Sequence, residues 1–183
     1  MNLTVLVALG AGLYLASSSE FEPAGRANAW ASDTPGPGPG KPAGVALTTG
    51  ARAPRGIRNN NPGNIEKGAP WQGLAADQSA DSRFAVFDSP VYGIRALTVV
   101  LLTYRNRHKL RTPREIISRW APAFENDTGS YVAAVARAAG IGPDDPVTDQ
   151  ELPAVVAAII KHENGINPYP ADLIADGIRR AYA

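Results

Sequence analysis

LPAVVAAIIKHENG, running from Leu152 to Gly165, is the stretch that decides how this chain folds. Its apolar residues return every three or four positions, the spacing of a helix with one buried face. At about 100° per residue, Leu152, Val155, Val156, Ile159 and Ile160 form one stripe, and Glu163 falls about 20° from Leu152, inside it. Lys161 and His162 point elsewhere. The capping box Thr148-Asp149-Gln150-Glu151 opens the helix, and Gly165 stops it. A carboxyl in that position loses hydration when it ionises, so its pKa rises. The carbonyl end of the helix pushes the same way. A carboxylic acid still protonated near neutral pH is what cleavage of a glycosidic bond needs. Spacing alone leaves a second reading open, in which Glu163 caps backbone groups, pairs with an arginine or turns to water.

Four more helices follow from the same rules. Ser89-Pro90 starts one that carries Ile94, Leu97, Leu101 and Tyr104 at helical spacing. Thr112-Pro113-Arg114-Glu115 is a capping box with proline at the first helical position, leading to Ile116, Ile117 and Trp120. A third begins at Thr128 or Gly129, turns Tyr131, Val132 and Val135 inward, and ends before Gly140. The last starts at Pro170 and carries Leu173, Ile174, Ile178 and Tyr182. From Arg55 to Asp88 the sequence is rich in Gly, Asn and Pro, with room for one short β-hairpin around Phe84 to Phe87. The expected fold is therefore mostly α, a helical lobe joined to a small loop and hairpin lobe.

Composition removes several chemistries. The 183 residues include no cysteine, which excludes disulfide scaffolds, thiol nucleophiles and thiolate metal sites. The only histidines are His108 and His162, and no H-E-x-x-H or H-x-x-E-H occurs, so zinc-peptidase chemistry has no framework. A net charge of +1 without a long basic run gives no indication of nucleic acid as a partner. No metal or organic cofactor is implied.

The N-terminal third is organised differently. Leu3 to Ala16 is apolar, but as a helix it reaches only about 21 Å, short of the roughly 30 Å hydrocarbon core. No Lys or Arg precedes it. It reads as a signal peptide with Ala27-Asn28-Ala29 as a cleavage site, as a weak membrane anchor through residues 2–16, or as an arm that packs on a partner. TPGPGPGKPAG then marks a linker, extended and unable to bury a core. The expected division is a signal or anchor segment over 1–32, a linker over 33–54 and a folded domain over 55–183. The expected location is the periplasm and cell envelope, or a virion.

Two strings in the domain carry a family resemblance. Ile160-Lys161-His162-Glu163-Asn164-Gly165-Ile166-Asn167-Pro168-Tyr169 resembles the acid-bearing helix end of lytic transglycosylases. Arg58-Asn59-Asn60-Asn61-Pro62-Gly63-Asn64-Ile65 is more specific. With Trp71, Gly73, Asp81, Phe84, Phe87 and Gly93-Ile94-Arg95-Ala96, it resembles phage virion proteins with peptidoglycan-lytic activity, of the kind carried by enveloped double-stranded RNA phages. The resemblance spans roughly Arg55 to Tyr182. It implies a lysozyme-like α+β fold, bacterial peptidoglycan as partner, and cleavage of its glycan strand by transglycosylase or muramidase chemistry. Glu163 is the implied acid, with Glu125 or Tyr131 as a second catalytic group. Asn60, Asn61, Asn64, Trp71, Asp81, Thr128, Asn167 and Tyr169 are the implied substrate contacts. Each has a plainer explanation: asparagines form turns, Asp81 and Thr128 suit caps, Glu125 complements a helix dipole, and Tyr131 suits a core. One departure stands out. In ordinary transglycosylases the acid precedes the Asn- and Gly-containing segment, whereas here Asn60–Ile65 comes first and Glu163 last. That order points to a circular permutation, which requires Glu163 within about 12 Å of Asn60–Ile65 given the spread of groups around a scissile bond. A peptidoglycan-binding structural protein and a stem-peptide endopeptidase are the rival readings.

Overall fold

The computed structural model describes residues 53–121 and 128–183. The apolar segment 1–32, nearly all of the 33–54 linker and the stretch holding Glu125 lie outside the described residues. Within them the protein is mostly helical. The helices are α1 (Arg55–Arg58), α2 (Pro90–Asn106), α3 (Pro113–Trp120), α4 (Thr128–Ala139), α5 (Leu152–Asn164) and α6 (Ala171–Ala181). None of them is long and apolar enough to cross a membrane.

The helix signals act as the residues dictate. Thr112 accepts the Glu115 N–H while the Glu115 carboxylate accepts the Thr112 N–H, a complete capping box on α3. Ser89 makes no side-chain cap bond, so the fixed backbone of Pro90 marks the start of α2 on its own. The Thr148–Glu151 pair forms as well, with the Thr148 N–H donated to Glu151 Oε2 at 2.9 Å. It lies a turn ahead of α5, whose first helical residue is Leu152. Gly165 closes α5 at φ 71°, a conformation that a side chain would strain.

α2 runs through the middle of the helical lobe, with Ile94, Leu97 and Thr98 fully buried. It packs along α6, while α5 packs on α4 and α4 on α3. Trp120, Tyr131, Val135, Val155, Ile159 and Ile160 fill the space between α3, α4 and α5. Tyr182 departs from expectation. It lies 49% exposed, and its hydroxyl donates to Asp149 Oδ1 at 2.6 Å while accepting from Arg105. Its polar tip has partners at the surface, so the residue does not join the core.

The small lobe holds no hairpin. The segment Phe84 to Phe87 lies between two others, joined by isolated antiparallel bridges at Glu66–Phe84 and Leu74–Phe87. Side-chain amides supply the bonds that a regular ladder would provide. Asn61 Nδ2 donates to the Ile65 and Ala85 carbonyls, both at 2.8 Å, and its Oδ1 accepts the Ile65 N–H. Gln78 does the same for Ala75 and Val86. Loops whose backbone polar groups are buried need such partners, which accounts for the run of amide residues.

Candidate functional site

Glu163 sits in the last turn of α5, 9% exposed, where the two lobes meet. Three side chains from three places in the chain hold it. The Trp120 indole N–H, at the end of α3, donates to Oε1 at 2.9 Å. The Tyr131 hydroxyl on α4 lies 3.3 Å from the same oxygen. Asn64 of the small lobe donates its Nδ2 to Oε2 at 3.0 Å. Oε1 is thus doubly bonded, and Oε2 has capacity left. Burial pushes the Glu163 carboxyl up to about 7, and the three donors oppose that rise. A group poised there gives up a proton and takes one back near neutral pH.

The hydrogen bond from Asn64 meets the 12 Å condition on Asn60–Ile65 with a direct contact, across 99 residues of sequence. Asn64 adopts φ 49° and Asn60 φ 51°, left-handed backbone that asparagine tolerates better than other side chains. Gly56 of α1 wedges beneath them. A Cβ added there would lie under 3.0 Å from Asn164 Oδ1, the Asn61 carbonyl and Asn64 Oδ1. Only glycine lets α1 approach the end of α5 so closely.

The other residues singled out in the small lobe hold the lobe together. Asn60 donates to the Phe87 carbonyl at 2.9 Å. Asn61 is fully buried and is the strut described above, out of reach of a ligand. Asp81 is 6% exposed. It accepts the Arg83 and Phe84 N–H groups and the Asn59 amide, and it pairs with Arg55 at 3.1 Å. Burial opposes its ionisation, but those partners together hold its carboxyl below the usual range. The polar atoms of Asn61 and Asp81, both expected as substrate contacts, are bonded within the fold. Trp71 is half-buried against the core with its indole N–H unpartnered.

On the helical side, Thr128 opens α4 and donates to the Ala121 carbonyl at 2.8 Å. Asn167 accepts the Tyr169 N–H at 3.1 Å, a turn just past the acid helix. The Tyr169 hydroxyl is buried without a hydrogen-bond partner, and burial raises its pKa. Tyr131 is fully buried, and its pKa is raised by burial first and by the neighbouring Glu163 second.

Two members of the site were not expected there. Trp120 reads as a core residue, yet a buried indole N–H needs an acceptor, and the only carboxylate on the facing apolar stripe is Glu163. His162 stacks flat on the Tyr131 ring, centroids 3.5 Å apart and planes within 8°. The helical wheel points it away from the stripe and gives no sign of that contact. Burial lowers the His162 pKa.

Fold and site together define a mostly helical domain whose buried acid is clamped between a helical and a loop-built lobe. No family model matches the sequence. The chain is 44% identical over 129 residues to protein P5 of Pseudoalteromonas phage PM2, a stretch that covers 68% of this chain and 80% of that protein. The chain belongs to the family of this phage protein.

Proposed function

We propose that the domain cleaves the glycan strand of bacterial peptidoglycan as a lytic transglycosylase or muramidase, with Glu163 as general acid and then base. One observation carries this reading: a carboxyl with its pKa pushed up to about 7 stands at a helix end, fixed by Trp120, Tyr131 and Asn64. The proton leaves from Oε2, the oxygen with a single partner, to the departing sugar oxygen. In the transglycosylase form the substrate's acetamido group assists at the anomeric carbon, and the carboxylate takes a proton back from the muramic 6-hydroxyl. A muramidase needs a second carboxylate to direct water. Among the described residues, Asp81 is paired with Arg55 and Glu66 with Arg83 at 2.6 Å, which leaves Glu125, outside them, as the carboxylate a muramidase would use.

The meeting of Asn64 with Glu163, in reverse chain order, supports a circularly permuted lysozyme-like fold. The phage relative fits a virion-borne protein that opens the wall during penetration or lysis, tethered near a membrane by residues 2–16. A second reading is a virion protein that binds peptidoglycan without cutting it. The observation behind it is that both Glu163 oxygens already have partners within the protein.

Digestion of purified peptidoglycan by the full chain, with mass spectrometry of the soluble products, separates the readings. Anhydro-muropeptides mean a transglycosylase, and reducing-end muramic acid means a hydrolase. Free stem termini mean a peptidase, and intact sacculi carrying bound protein mean a structural protein. Glu163→Gln is expected to lower glycan cleavage by about 10²- to 10⁴-fold. Full activity in that variant refutes the assignment.

A further inference from the structure

Glu163 presents a bonding problem that a turn of one neighbour solves. As a protonated acid it must donate a hydrogen bond, yet all three of its partners are drawn to it as donors. The indole of Trp120 cannot accept at all. An amide can, by turning over, and Asn64 is the amide on Oε2.

Two further atoms point to the same turn. Asn64 Oδ1 and Asn164 Oδ1 are both buried without a hydrogen-bond partner. They belong to residues 9% and 8% exposed, and both face Gly56. Asn164 is not free to turn, because its Nδ2 donates to the Pro62 and Ile160 carbonyls at 2.8 and 2.9 Å. Its Oδ1 is a fixed acceptor in search of a donor. Turning Asn64 brings its Nδ2 to the side of that acceptor and its Oδ1 to Glu163. Both unpartnered oxygens are then satisfied, each removing a burial penalty.

We propose that Asn64 is a positioning residue whose side-chain amide turns with the protonation state of Glu163. With the acid protonated, Asn64 Oδ1 accepts the Oε2 hydrogen and Nδ2 donates to Asn164 Oδ1. When the proton passes to the departing sugar oxygen, Nδ2 swings round and donates to the new carboxylate. One residue thereby holds the proton of the resting acid and stabilises its conjugate base. The catalytic consequence rests on the proposed glycan cleavage; the turn itself does not.

Few other ionisable groups compete for this role. Tyr131 on α4 is bonded to Oε1 and stacked under His162 of α5. On α1, Arg55 pairs with Asp81 and Arg58 donates to the Ala53 carbonyl. On α3, Arg119 bonds to Tyr104. On α2, Arg95 donates to the Arg180 carbonyl; on α6, Asp176 pairs with Arg179 and Arg180. Glu125 and Asp127 lie outside the described residues.

The test is nuclear magnetic resonance on the isotope-labelled full chain. A nuclear Overhauser contact between the Asn64 side-chain NH₂ and the Gly56 α-protons is expected well below the Glu163 midpoint and lost well above it. In Glu163→Gln the contact is expected at every pH. There the new Oε1 must accept from Trp120, which leaves Nε2 to donate to Asn64 Oδ1. A contact that ignores pH in the native chain, or that is missing in Glu163→Gln, overturns the proposal. Asn164→Ala supplies a second reading. Provided circular dichroism shows it folded, its Glu163 midpoint is expected to fall by roughly half to one pH unit, from loss of one hydrogen bond. An unchanged midpoint counts against the turn. Uncut peptidoglycan alongside a switching contact removes the enzymatic reading and leaves this one standing.

Discussion

Among the described residues each lobe buries one acid, and the two are treated in opposite ways. In the helical lobe, Glu163 rides an apolar stripe whose neighbours are Ile159 and Ile160, and burial dominates, raising its pKa to about 7. In the loop-built lobe, Asp81 is also shielded from water but lies at a shallower depth, where two backbone N–H groups, an amide and Arg55 meet it, and its pKa falls. A helix satisfies its own backbone, so an acid on its buried face finds few donors beyond those of other side chains. A loop leaves its N–H groups unclaimed, and they gather round any carboxylate within reach. The protein holds an acid that keeps its proton more readily in the first setting and one that gives it up more readily in the second.

Three changes test that contrast, beginning with the one of largest effect. Asn61→Ala removes three hydrogen bonds from the small lobe and orphans the Ile65 N–H and the Ala85 carbonyl. It is expected to lower stability by about 3–5 kcal/mol in urea unfolding, together with loss of any activity that depends on Asn64. A loss under about 1 kcal/mol would show that amides do not replace the ladder there.

The acid pair gives the next effect, and its sign follows from linkage. The folded-state pKa of Glu163 is raised from 4.5 to about 7, so between those values the folded protein binds more protons than the unfolded chain. Stability therefore falls as pH rises through that window and levels off above it, by about 3 kcal/mol in all. Glu163→Gln is expected to flatten this fall in denaturation curves taken across the window. Asp81 works the other way. Its lowered pKa gives stability that is present above the ordinary carboxylate range and lost as pH drops through its folded value. If Glu163→Gln leaves the neutral-side slope intact, burial is not what sets this acid apart.

The smallest effect is in the helical core. Ile159→Val, beside the acid on a fully buried stripe, is expected to cost about 1 kcal/mol and to leave the Glu163 midpoint unmoved. A shifted midpoint, read by the same magnetic resonance titration, would mean that packing tunes the acid as well as burying it.

The same contrast explains what the sequence reveals. Helices α2 to α6 are legible because periodicity and caps are local signals, and the burial of Glu163 is a sum over its own turn of helix. The small lobe is less legible. An asparagine looks the same whether it forms a turn, braces two carbonyls as Asn61 does, or reaches an acid as Asn64 does. Its direction is set by backbone geometry that no spacing encodes. The sequence leaves room for at most one hairpin there, and the structure uses the segment otherwise: Phe84 and Phe87 pair with two different segments. Trp120 and His162 were missed because their partners lie on other helices, and periodicity reports only the face a residue occupies. The spacing of Tyr182 gives no sign that Asp149 and Arg105 offer its hydroxyl partners at the surface.

The bond between Asn64 and Glu163 also sets a clock. The two residues are 99 positions apart, so at ribosomal speeds of about 5–20 residues per second the asparagine is made roughly 5–20 s before its partner. During that interval the small lobe is complete in sequence but lacks the end of α5 against which Gly56 and Asn64 lie. No nascent chain that stops short of Glu163 can form this pair. The buried acid therefore meets its small-lobe partner only after α5 has been made.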